Sequence, residues 1–121
     1  MADYADSKKE SFMEKIVNEV YRGAISDTFD LIKNPPGREP HASLVSLNKW
    51  YAALSDEDKE QVRKVATWAA DLALFGLFAA FDGVRNIGLD GEISVIENGY
   101  NMSSNCDLHE IYRATATDIF E

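Results

Sequence analysis

Apolar residues recur every three or four positions over much of the chain, the spacing typical of amphipathic helices. The first such stretch opens on Ser7 and Glu10, a capping box whose side chains would satisfy the first free amides of a helix. It runs to residue 33, with Gly23 marking a bend. The Asn-Pro-Pro-Gly sequence at 34–37 ends it, because proline lacks an amide hydrogen and disfavours helix at the residue before it.

Two more helices are predicted between the proline-rich connector and residue 82. The second has Ser43 as its cap and extends to Leu54, and Ser55 opens the third with three acidic residues that suit the positive end of a helix dipole. This third helix, about 56–82, is apolar nearly all round in its second half, which predicts a central helix surrounded by the other elements. It carries a stripe of small side chains, Ala69, Ala73, Gly76, Ala80 and Gly83, beside a bulky stripe, Val65, Trp68, Leu72 and Phe75.

After Gly83 the pattern changes to alternation around Asn98-Gly99, which predicts a β-hairpin over about 92–103 with a two-residue turn. That turn places Glu97 opposite Tyr100. Asp107 then caps a C-terminal helix of about 108–120. The sequence therefore predicts one α+β, mostly helical domain over 1–121, with three N-terminal helices, a hairpin and a C-terminal helix.

The amino-acid composition indicates the cellular location of the protein and the classes of molecule that it binds. The chain has 121 residues, with 12 Lys and Arg against 21 Asp and Glu and a formal net charge of −9. Such an excess repels phosphate backbones, so we expect no nucleic-acid binding. The N-terminus lacks the basic and apolar regions of a signal peptide, and the apolar run at 66–81 is shorter than the roughly 20 residues of a membrane span. We expect a cytoplasmic protein that does not bind membranes.

The negative charge is concentrated in the second half of the chain. From residue 66 onward there are nine carboxylates and two arginines, a balance of −7, whereas the first 65 residues hold 12 acids and 10 bases, a balance of −2. This predicts an acidic surface around the hairpin, which would attract a basic protein partner. The predicted partner-binding residues are Asp90, Glu92, Glu97 and Glu110, with Tyr100 as an anchor.

In size and charge the chain is similar to bacterial immunity and antitoxin proteins, which neutralise a basic nuclease. The resemblance is one of size and charge and rests on no residue motif. It implies a non-enzymatic, inhibitor-like binding module without a cofactor. The sequence is consistent with this, because it contains no glycine-rich phosphate loop, no Gly-x-Ser-x-Gly elbow and no His-Glu-x-x-His motif.

An alternative function rests on Asp71, which lies inside the apolar run. A carboxylate in such a place must find a partner or raise its pKa. It could act in a pocket beside the central helix together with Trp68 and Phe75, as a small-molecule-binding site or an active site. The competing interpretation, which we favour, is a structural hydrogen bond to a Trp N–H, a Tyr hydroxyl or an Arg, or exposure of the carboxylate to solvent.

Three further features yield weaker expectations. Asp82, at the end of the third helix, is expected to join a local network, held either by Arg85 or by the backbone amides of the following turn. Cys106 and His109 have metal-ligand spacing but no second pair of ligands, so we expect neither a metal site nor a catalytic role. The small-residue stripe and the hairpin edge each offer a surface on which the chain could form a homo-oligomer.

Overall fold

One long N-terminal helix organises the fold. The computed structural model describes residues 4–120 and the side chains of residues 7–119. Helix α1 (Tyr4–Ile16), a π-helical turn (Val17–Tyr21) and helix α2 (Arg22–Lys33) follow one another without a break. Because α1 already includes residues 4–6, the predicted start at Ser7 is wrong, and the capping-box residues lie on a helix that is already formed.

The π-helical turn keeps the buried stripe of this long helix on one side. Its buried residues repeat every four positions: Lys9, Met13, Val17, Tyr21, Ile25 and Phe29. Four residues advance an α-helix about 40° beyond a full turn, so such a stripe would drift away from the core. A π-helical turn holds more residues and rotates the stripe back. Gly23, the predicted bend, instead lies within α2 just after this turn.

Helix α3 (Ala42–Ala52) packs against α2 and closes its end. The side-chain amide of Asn48 donates to the backbone carbonyls of Ile32, at 2.9 Å, and Lys33, at 3.1 Å. The cap of α3 is not Ser43 but His41, whose Nδ1 accepts the backbone N–H of Ser43 at 3.1 Å. Carbonyls at the end of α2 thus gain a partner across the proline-rich connector.

Helix α4 (Asp56–Phe81) starts where the sequence predicts, with the Ser55 hydroxyl accepting the backbone N–H of Asp58 at 3.1 Å. One face of α4 packs against α2 and the C-terminal helix. Phe78 is buried there, and half-buried residues continue the same face: Val62, Ala66, Ala70, Leu74 and Phe75. The core therefore lies between the N-terminal helix and one side of α4.

The prediction that α4 is surrounded on all sides is wrong. Val65 is 70% exposed, Leu72 57%, Leu77 46% and Trp68 45%. By length and composition alone α4 could cross a membrane, a test that core helices of soluble proteins also pass, but only 22% of its most apolar stretch is buried. The elements that follow are too short to cover a second face of a 26-residue helix.

The hairpin has the predicted turn and register but shorter strands. Strands β1 (Ile96–Glu97) and β2 (Tyr100–Asn101) are antiparallel, with Glu97 opposite Tyr100. Asn98 and Gly99 have φ values of 50° and 78°, as this type of turn requires. Helix α5 (Leu108–Thr115) and a 3₁₀ turn (Asp118–Phe120) replace the predicted single helix over 108–120. The α+β, mostly helical fold class is confirmed.

Candidate functional site

Asp71 is fully buried and bound on both carboxylate oxygens. Arg113, from α5, donates from Nη1 to Oδ1 at 2.8 Å and from Nη2 to Oδ2 at 2.9 Å. The hydroxyl of Tyr112 donates to Oδ1 at 3.0 Å. A paired, bidentate guanidinium is the arrangement that best offsets the cost of burying a carboxylate. This network joins α4 to α5 across the core.

The network shifts the acid–base properties of its members in one direction. Burial raises the pKa of Tyr112, and the hydrogen bond to Asp71 raises it further. The pKa of Arg113 is also raised, chiefly because it donates to Asp71. Both groups therefore keep their protons at any physiological pH, and the network is a fixed structural element.

This geometry bears on the role of Asp71 in the pocket interpretation. Asp71 has its lone pairs occupied by Arg113 and Tyr112 and is not accessible to a ligand. Phe75 lies under the guanidinium of Arg113, with 4.9 Å from its ring centroid to Cζ, and the side chain of Trp68 is 45% exposed. Asp71 therefore serves as a structural partner of Arg113 and Tyr112.

Asp82 caps α5, a role that the sequence did not indicate. Its Oδ2 accepts the backbone N–H of His109 at 2.7 Å and contacts the His109 ring nitrogen Nδ1 at 2.5 Å. Asp107 occupies the N-cap position but makes no capping hydrogen bond; its Oδ1 is 3.4 Å from the buried amine of Lys9. The expected pairing of Asp82 with Arg85 is not formed.

Cys106 and His109 do not form a reactive pair. Cys106 is exposed with a φ of 53°, and His109 is held by Asp82. Within residues 4–120, no group of three or more His, Cys, Asp or Glu side chains could hold a metal ion.

The predicted partner-binding residues remain on the surface around the hairpin. Asp90, Glu92 and Glu110 are exposed, and no described cation lies within ion-pair distance of them. Glu97 is also exposed, but it pairs with Lys8 at 3.4 Å. The same lysine lies over the ring of the half-buried Tyr100, 5.9 Å from its centroid. Tyr100 is therefore already in contact with a cation of its own chain.

Apolar side chains lie among these carboxylates. Four of them between residues 84 and 96 are more than half exposed: Val84, Ile87, Leu89 and Ile96. We call these residues together with Asp90, Glu92 and Glu97 the 84–97 surface. The sequence pattern did not reveal the apolar part, because these positions follow neither a helical nor an alternating period.

A cleft of about 570 Å³ lies behind the 84–97 surface. Ile87, Leu89, Asp82, Glu92 and Arg85 are among the residues that line it. Asp82 Oδ1 is buried without a hydrogen-bond partner among the described residues. The cleft is thus lined by apolar side chains, two carboxylates and one guanidinium.

A second cleft, of about 700 Å³, lies against the π-helical turn. Its walls carry two cations and three carboxylates: Arg22, Arg63, Glu19, Asp27 and Asp118. Arg22 Nε is 3.5 Å from Asp118 Oδ2. The two signs of charge are interspersed in this cleft, and part of the charge is already paired within the chain.

The fold defines a helix-rich α+β protein. Comparison with protein-family models, with curated proteins and with solved structures finds no match to this chain.

Proposed function

We propose that the chain is a non-enzymatic, cytoplasmic protein-binding module that docks a basic protein partner on the 84–97 surface. The observation that carries this proposal is the combination of exposed apolar side chains, such as Leu89 and Ile96, with unpaired carboxylates at Asp90 and Glu92. Apolar contacts supply most of the affinity at protein interfaces, while charges steer the encounter.

One of the two cations in the second half of the chain is held by a core carboxylate, which supports the choice of a basic partner, while the other, Arg85, stays exposed. The second half of the chain has two arginines. Arg113 is bound by Asp71, and it does not neutralise the surface acids. The partner segment that fits is one with lysine or arginine side chains interspersed with apolar residues, since it complements both components of the 84–97 surface.

The experiment compares two variants that remove the same amount of charge. Asp90→Asn/Glu92→Gln/Glu97→Gln removes the carboxylates of the 84–97 surface, and Glu14→Gln/Glu19→Gln/Asp27→Asn removes three exposed carboxylates from the N-terminal helix. Each chain is immobilised and exposed to lysate of its source cells in about 0.05 M and about 0.5 M salt, below and above the range where exposed charges are screened.

We expect a basic protein to be retained by the parent chain and by the N-terminal variant in low salt, and to be lost from the 84–97 variant. Leu89→Ser should also weaken retention, whereas Leu31→Ser, at an exposed leucine of α2, should not. Equal retention by both triple variants would show that the partner binds elsewhere, and recovery of no basic protein would overturn the proposal.

A further inference from the structure

The open face of α4 has a charged residue of opposite sign near each end. With 100° of rotation per residue, Asp58, Val65, Ala69, Leu72 and Gly76 fall within an arc of about 60° on the helix. Val65 and Leu72 are the most exposed large apolar residues of α4, and Asp58 and Ala69 are exposed as well. We call these five residues the α4 face.

Gly76 is covered by a cation. A Cβ atom added at Gly76 would lie 2.7 Å from Arg85 Nη1, so the guanidinium rests directly on the helix backbone at this position. No carboxylate in the described part of the chain is within ion-pair distance of Arg85, and Asp58 likewise has no cationic partner there. The α4 face therefore carries an unpaired acid at its N-terminal end and an unpaired base at its C-terminal end.

The α4 face is complementary to the same face of a second copy that runs in the opposite direction. Gly76 lies 18 positions after Asp58, which is five turns of about 3.6 residues. If a second α4 runs antiparallel with a two-fold axis level with residue 67, Asp58 of each copy lies level with Gly76 and Arg85 of the other. At the centre, Val65 of each copy lies level with Ala69 of the other, so that a larger side chain packs on a smaller one.

We propose that the α4 face binds a second copy of this chain in an antiparallel, two-fold symmetric dimer. The centre of the interface is apolar, and two Asp58–Arg85 ion pairs close its ends. An isologous interface needs one self-complementary patch, and the α4 face meets that condition in both shape and charge.

The size of the helix is adequate for such an interface. A helix of 26 residues is about 39 Å long at 1.5 Å per residue. A standard interface buries about 800 Å² on each partner, and an exposed apolar patch of a few hundred Å² commonly marks its centre. The side chains that flank the α4 face, Trp68, Ala73 and Leu77, add exposed apolar surface.

A second copy fits this face better than the other two occupants. A basic partner would meet Arg85 at one end of the α4 face and would be repelled there. A membrane would desolvate both Asp58 and Arg85 without pairing them, and anionic headgroups would repel a chain with a net charge of −9. Only a reversed copy of the same face supplies the opposite charge at both ends.

The first test measures self-association by sedimentation equilibrium with two matched variants. Leu72→Asn changes the α4 face, and Leu31→Asn changes an exposed leucine on α2. We expect the dimer dissociation constant to rise at least about tenfold for Leu72→Asn and to stay within about twofold for Leu31→Asn, since a tenfold change is about 1.4 kcal/mol of lost contact. Equal effects of the two substitutions would contradict the proposal.

The second test exchanges the charges. Asp58→Arg and Arg85→Glu should each weaken the dimer about tenfold, because each places like charges opposite one another at both ends. The variant that combines both substitutions restores an ion pair at each end and should recover the dissociation constant of the parent chain to within about threefold. Circular dichroism before each measurement confirms that the variants are folded.

Several outcomes overturn the proposal. If the parent chain stays monomeric at every concentration up to about 1 mM, its dimerisation free energy is weaker than about 4 kcal/mol and the dimer is excluded. A dimer whose charge-exchange variant is weaker than either single variant excludes the antiparallel register. A monomer that floats with vesicles of phosphatidylcholine and phosphatidylglycerol assigns the α4 face to a membrane instead.

Discussion

At the residue scale, stability depends on a few buried polar side chains that join distant parts of the chain. Asp71 binds Arg113 and Tyr112, while Asp82 caps α5 through His109. Each of these hydrogen bonds links α4, or the residue just after it, to α5. Because buried polar groups are costly when they lose a partner, these positions are where single substitutions have the largest effect.

Replacing Asp71 by asparagine removes the negative charge that holds Arg113. We expect Asp71→Asn to lower the free energy of unfolding by about 3 kcal/mol, since the remaining guanidinium is left without its counter-charge. Urea unfolding followed by circular dichroism measures this. The double variant Asp71→Leu/Arg113→Met should lose less than Asp71→Asn, and a larger loss would show that the ion pair itself supplies net stability.

Two tyrosines make the folded state sensitive to alkaline pH. Burial, with a contribution from Asp118, raises the pKa of Tyr21 from 10.0 to about 12, and the pKa of Tyr112 is raised as well. Because the folded chain holds these protons more tightly than the unfolded chain, the stabilisation is complete below pH 10 and is lost as pH rises through about 12.

The unfolding free energy should therefore fall between about pH 10 and pH 12, and Tyr21→Phe should reduce the fall. Urea unfolding of both chains at several pH values across this window tests this prediction. Subtracting the unfolding free energy of the variant from that of the parent chain removes the contribution of the lysines, which both chains share. At pH 7, Tyr21→Phe should cost little, because the Tyr21 hydroxyl has no hydrogen-bond partner among the described residues. A pH profile identical in the two chains would contradict this account.

At the element scale, local signals were sufficient to predict where several elements begin and turn. Ser55 caps α4 and Asn98-Gly99 sets the hairpin register, and each depends on interactions within a few residues. The cap of α5 could not be predicted in the same way. Its acceptor, Asp82, lies 27 positions before His109, and only the folded chain brings them together.

The hairpin turn provides a test of local conformation with an internal control. Gly99 has a φ of 78°, a region that side chains with a Cβ rarely adopt, so Gly99→Ala should destabilise the chain by about 1 kcal/mol. Gly23 lies in α2 with no atom near an added Cβ, so Gly23→Ala should instead stabilise it by up to about 1 kcal/mol. Thermal unfolding of both variants measures the two signs, and a loss of stability in Gly23→Ala would contradict the reasoning.

At the scale of the whole molecule, the sequence pattern correctly predicted the fold class, but it did not predict which faces of α4 are covered. The apolar second half of α4 predicted a helix enclosed by other elements. Periodicity measures how apolar a face is, whereas burial depends on how much chain remains to cover it. With eight residues in α5 and two in each strand, one face of α4 stays open.

The candidate site was likewise predicted only in part from the sequence. Charge counting placed an acidic surface around the hairpin, and Asp90, Glu92 and Glu110 are indeed exposed there. It did not show that Arg113 is bound by Asp71, or that the apolar side chains of Leu89 and Ile96 are exposed on the same surface. Those facts depend on contacts between residues far apart in sequence.

Association through the α4 face should couple stability to concentration. A ligand that binds only the folded state raises the apparent stability by mass action, and a second copy of the chain acts as such a ligand. The thermal midpoint of the parent chain should therefore rise when its concentration is raised a hundredfold. Asp58→Arg should show a smaller rise, and scanning calorimetry at both concentrations distinguishes the two chains.

The π-helical turn at Val17–Tyr21 also affects which changes of length the chain tolerates. A π turn accommodates one more residue than the α-helical turn it replaces. Deleting the exposed Glu19 would change the spacing of the buried residues Val17 and Tyr21 from four to three, which an uninterrupted α-helix places on one side. A naturally shortened version of this protein could therefore lose a residue here and keep its interior intact, whereas the same loss elsewhere in the N-terminal helix would turn half of that interior toward water.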